Sequence, residues 1–115
     1  MKINSFFNDY FFAKSNDILK KHKIDSIEYI KAEGSSVDIF FKENEFLKIT
    51  LSRNLKAILL LLKAENIRRI HRSYAINLNE IVSIDKWHIK LQKSDTPFFV
   101  QESYRFSFQK FIKKI

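Results

Sequence analysis

Apolar residues in this chain come in short blocks separated by polar turns, and one block changes rhythm. Leu55, Ile58, Leu59 and Leu62 recur at spacings of three and four, which places them on one face of a helix. Leu60 and Leu61 widen the stripe, so this helix is expected to be well buried. Ser52 stands where a side-chain oxygen can cap the first turn, and the helix should end near Ala64 to Asn66.

Around that helix the pattern is extended. Tyr10 to Lys14 and Ile18 to His22 flank the turn composition Ser15, Asn16, Asp17. Ser26 to Ala32 reads as a strand, with Ile27, Tyr29 and Lys31 on one face and Glu28, Ile30 and Ala32 on the other. After the turn at Glu33 to Ser36, Val37 to Phe41 and Phe46 to Leu51 form a hairpin across Lys42 to Glu45. Ile67 to Ile76 is extended again, and Ile81 to Lys86 with Trp87 to Gln92 makes another hairpin. Pro97 to Val100 is a short last strand, with proline at its tolerated first position. Tyr104, Phe108, Phe111, Ile112 and Ile115 recur at helical spacing and close the chain. The expected fold is mainly β: one domain over residues 1–115, residues 1–9 being a short N-terminal extension, with one central helix and one C-terminal helix.

Composition removes several functions. The chain has no cysteine, which excludes disulfides, thiolate metal sites and cysteine nucleophiles. Its one glycine, Gly34, excludes glycine-rich phosphate loops. His22, His71 and His88 lack the spacing of a helical metal pair, and no serine stands in a nucleophile elbow. Glu43 and Glu45 read as solvating charges at a turn rather than an acid–base pair. No enzyme, cofactor or metal is expected. The start of the chain lacks a signal peptide, and the longest apolar run, Ala57 to Leu62, is too short to cross a bilayer, so a cytoplasmic location is expected. Richness in Lys, Ile, Asn and Phe fits an AT-rich bacterial genome.

Lys and Arg number 21 against 13 acids, a net charge of +8. Such a surplus on 115 residues favours a polyanion, with nucleic acid ahead of an anionic membrane, although a merely soluble basic protein fits the charge equally well. The informative stretch is Ile67 to Asn77, where Arg68, Arg69, His71 and Arg72 stand between apolar anchors. Read as one extended segment, it puts Arg69, His71, Ser73 and Asn77 on one side and Ile70, Tyr74 and Ile76 toward the core. Arg72 falls where the strand bends or exits. Guanidinium groups fixed on a surface match phosphate oxygens and guanine edges. A plain solvated strand face fits the same residues.

Arg69, Ile70, His71, Arg72, Ser73, Tyr74, Ala75, Ile76 and Asn77 together resemble the signature of LytTR DNA-binding domains. Asp25 to Gly34 resembles the family's Asp-x-Ile-x-Tyr-Ile-x-Ala segment, and Pro97 to Arg105 its last strand and turn. The resemblance covers the chain from about Tyr10 onward.

It implies an elongated β-sandwich-like domain that binds duplex DNA through loops, commonly at direct repeats, as dimers or side-by-side pairs. Three regions are implied as contacts. They are Gly34, Ser35, Ser36 and Val37 after the Tyr29 strand; Arg69, His71 and Arg72 of the signature; and Gln101, Glu102, Ser103, Tyr104 and Arg105 before the last helix. Arg72, Arg105 and nearby lysines would neutralise phosphates, while Ser36, Val37 and Ser103 would read base edges. His71 is equally read as a structural residue that holds the strand to a neighbouring carbonyl.

The chain departs from the pattern in two places. Many relatives have Ser followed by Arg where this chain has Gln101 and Glu102. Val37, where some relatives place a polar reader, could touch only a thymine methyl. Most relatives also carry a receiver or membrane segment, so a stand-alone regulator would take its signal from a partner, abundance or self-association. A module that binds another regulator instead of DNA is the alternative that Glu102 and Val37 motivate.

Overall fold

The computed structural model describes residues 9–115, except for the side chains of Glu45 and Phe46. The expected N-terminal extension lies almost wholly outside the described residues. Among the described residues ten strands form three small antiparallel sheets and two α-helices accompany them, a mainly β architecture.

Strands β1 (Tyr10–Ser15) and β2 (Ile18–Lys23) pair alone. Asn16 and Asp17 both have positive φ, 50° and 67°, the left-handed pair that a two-residue hairpin loop requires. The central sheet has the order β5-β4-β3-β7-β6, built from β3 (Ile27–Glu33), β4 (Ser36–Phe41), β5 (Asn44–Leu51), β6 (Ile67–His71) and β7 (Tyr74–Asn77). The third sheet joins β8 (Ile81–Asp85), β9 (His88–Leu91) and β10 (Phe98–Phe99).

Alternation along the central strands supplies both of its faces. Ala75 goes to one apolar cluster, with Ile30, Val37, Ile39 and the helix α1 (Leu55–Leu62). Its neighbours Tyr74 and Ile76 go to a second, with Ile89, Leu91, Phe98 and Phe108. Phe108 belongs to helix α2 (Glu102–Gln109), so the third sheet and α2 cover this second face.

Several local expectations are corrected. Asn54, not Ser52, caps α1: its side-chain oxygen accepts from the Ala57 amide at 2.8 Å. The helix stops at Leu62 because Lys63 turns left-handed, at φ 50°. At the C-terminus only Tyr104 and Phe108 of the five spaced apolar residues lie in α2, and Phe111, Ile112 and Ile115 follow its end. The register slips between Ile27 and Tyr29, so Ile27 joins Ile30 rather than Tyr29. That bulge buries Glu28, whose carboxylate accepts from the amides of Lys93 and Ser94, both at 2.9 Å, and ties the β9–β10 loop to the central sheet. Burial, the largest influence, raises the Glu28 pKa, and the two amides only partly offset it.

The segment from Ile67 to Ile76 is not one extended run. It folds back at Arg72 and Ser73 as the β6–β7 hairpin, with a bulge between Arg69 and His71. Asn77 is therefore not on the surface beside Arg69 and His71. It pairs across the hairpin with Ile67 and is fully buried.

Candidate nucleic-acid interface

Folding the signature into a hairpin puts Arg72 at an exposed turn, whose main chain is held by three side chains and one neighbouring amide. All four amide and carbonyl groups of Arg72 and Ser73 have partners. The Arg72 amide donates to the side-chain oxygen of Gln101 at 2.9 Å. The Arg72 carbonyl accepts from a terminal guanidinium nitrogen of Arg69. The Ser73 amide donates to His71 Nδ1 at 3.0 Å. The Ser73 carbonyl accepts from the Ala32 amide at 2.8 Å. Arg69 also reaches the His71 carbonyl through Nε at 3.2 Å.

Two of these bonds join the three regions singled out from the sequence. Ala32 lies one residue before Glu33, where β3 gives way to the Gly34–Ser35 turn, so its bond to Ser73 sets that turn beside Arg72. Gln101 immediately precedes α2, so its bonds to the Arg72 amide and to the Ile70 carbonyl, the latter at 2.8 Å, bring the start of that helix to the same place.

The candidate residues then separate by what their side chains do. Arg72, Ser35 and Ser103 are exposed, and Ser36 is half-buried with its hydroxyl donating to the Glu33 carbonyl at 3.1 Å. Gly34 takes φ 59°, and an added Cβ would meet nothing within 4 Å, so backbone conformation alone asks for glycine there. Val37 is corrected: at 0% exposure it faces the first apolar cluster and cannot touch a thymine methyl.

Arg69 gives two of its five donors to the turn and lies 5.8 Å from the Tyr104 ring. Arg105 donates to the Val100 carbonyl at 3.0 Å and lies over the Trp87 ring at 4.9 Å. Ser103, Tyr104 and Arg105 belong to the first turn of α2 rather than to a loop before it, and Glu102 is exposed beside them.

His71 is held in place by its acceptor role and by an edge-on contact with Phe99 at 5.0 Å. Burial, followed by the charges of Arg72 and Arg69, holds its pKa below 6.5. The neutral ring with Nδ1 unprotonated is the form the Ser73 bond requires. Under the turns Tyr29, Tyr74 and Phe98 meet in edge-on and tilted contacts at 5.0, 5.2 and 6.3 Å. Among the described residues no group of three or more His, Cys, Asp or Glu could hold a metal ion. No described helix is long and apolar enough to cross a membrane.

The structure is thus a β scaffold that gathers turns and an exposed arginine in one place. Comparison with protein families matches residues 17–113 to the LytTr DNA-binding domain, and the chain belongs to the LytTR family. Among solved structures it is similar to the LytTr DNA-binding domain of a Bacillus cereus protein described as a methyl-accepting/DNA response regulator. That likeness has a TM-score of 0.67 at 23% identity, covering 89% of this chain and 94% of the other, and it carries the fold. No curated protein matches the sequence.

The sequence did not disclose the part played by Gln101. Twenty-nine positions separate it from Arg72, and no local pattern links the two.

Proposed function

We propose that this chain is a sequence-specific duplex DNA-binding domain of a bacterial transcription regulator, acting in the cytoplasm without catalysis, metal or cofactor. One observation carries the reading: the turn bearing Arg72 has every main-chain group of Arg72 and Ser73 held, while the Arg72 side chain is left exposed. A cation pre-positioned in this way meets a phosphate without first having to order its own backbone. Ser35, Ser36 and Ser103 supply hydroxyls at the neighbouring tips for groove contacts. His71, Arg69, Tyr104 and Arg105 form the support behind them.

Residues 10–115 act in this reading as one domain that occupies direct repeats as pairs of copies and takes its signal from a partner. Selecting bound fragments from random duplex DNA at physiological salt tests it. Enrichment of a motif is expected; uniform recovery, or no retention, contradicts it. Glu102, exposed on the first turn of α2, favours a second reading in which the same face binds a regulator protein. Retention of that protein with no retention of any duplex would select the second reading.

A further inference from the structure

We infer that Gln101 is a positioning residue for Arg72 and, at the same time, a hydrogen-bond donor to DNA. The inference rests on the reading of this edge as the DNA surface. Gln101 occupies the cap position of α2, yet its side chain caps nothing there. Its oxygen instead accepts from the Arg72 amide, 29 positions earlier. The opposite orientation of the carboxamide would set its NH2 against the Arg72 N–H, donor against donor, so the geometry fixes which end faces the turn.

Two consequences follow from that orientation. First, α2 and the β6–β7 turn move as one unit, because Gln101 also donates its own amide to the Ile70 carbonyl at 2.8 Å. Second, the Gln101 NH2 remains for an outside acceptor. No described fully buried side-chain nitrogen or oxygen lacks a partner, so the NH2 of this half-buried residue keeps some access to solvent. Its NH2 can donate to a phosphate oxygen, or to the acceptor atoms of guanine, adenine or thymine.

Gln101→Met and Gln101→Glu separate the two roles. Methionine keeps the side-chain length and removes both acceptor and donors; glutamate keeps an acceptor for Arg72 and removes the donors. Amide exchange at Arg72 in free protein reports the positioning bond. Affinity and its salt dependence, on a duplex recovered by selection, report the rest. The expected result is fast exchange at Arg72 in Gln101→Met and protected exchange in Gln101→Glu.

Binding by Gln101→Met should weaken on the order of tenfold, with the salt slope changed by much less than the ~0.9 that a lost phosphate contact removes. Protection of the Arg72 amide in Gln101→Met would overturn the positioning role, as would wild-type affinity once that protection is lost. Wild-type affinity in Gln101→Glu would overturn the donor role. If wild-type protein binds no duplex while the exchange pattern is as expected, the DNA reading fails and the positioning bond stands.

Discussion

The side-chain amide of Asn77 donates to the main-chain carbonyl of Asp25 at 3.2 Å, joining the end of β7 to the 3-10 turn that leads into β3. The same amide reaches the Ile27 carbonyl at 2.8 Å, and the Asn77 oxygen accepts from Asn66 and from the Asn79 amide. The Asp25 carboxylate gathers Asn66, Asn79 and Lys42 around this hub. Burial raises the Asp25 pKa, but the bonds from Asn79 and Asn77 and the Lys42 charge outweigh it, and the net shift is downward. Replacing Asn77 by Leu takes a partner from the buried Ile27 carbonyl and from the part-buried Asp25 carbonyl and Asn79 amide. Asn77→Leu should cost about 3 kcal/mol in chemical denaturation. A loss below about 1 kcal/mol would show that the network is dispensable.

Gly34 tests the geometry of the neighbouring turn. Its left-handed backbone at φ 59° strains any residue with a Cβ, although the space around it is open. Gly34→Ala should lower stability by about 1 kcal/mol, and Gly34→Asn by clearly less, because asparagine tolerates this region. Equal losses for the two would point to a steric cause.

His71 makes the site sensitive to acid. Its folded pKa lies below the ordinary 6.5, from burial first and then from Arg72 and Arg69. Between the folded and unfolded values the unfolded chain binds more protons, so stability rises with pH across that window. The contribution is complete above about pH 6.5 and is lost as the pH falls through the folded value. His22, lowered by burial and then by Lys20, acts in the same sense. An NMR titration should give His71 a midpoint below 6.5, and Ser73 amide protection should fall with it. A midpoint at or above 6.5 in free protein would contradict this account.

Most strands, both helices and the hairpin turns are readable from residue period and turn chemistry, but Leu60 and Leu61, expected to widen the buried stripe of α1, are exposed. What escapes is set by single residues acting at a distance. Glu28 reads as a surface position until a bulge turns it inward to the Lys93 and Ser94 amides. Val37 is a loop-tip reader by family likeness and Asn77 shares the Arg69 and His71 face of a flat strand, but strand pairing places both inside. The three contact regions come from the family likeness, whereas Arg69 and Gln101 as clamps on the Arg72 turn arise from tertiary geometry.

The most direct test of the central claim compares the salt dependence of duplex binding by wild-type protein and Arg72→Ala. If the Arg72 turn delivers its guanidinium to a phosphate, the log–log slope should lose about 0.9 in magnitude, with affinity reduced alike across sequences. Superimposable slopes for the two proteins would mean that Arg72 neutralises no phosphate.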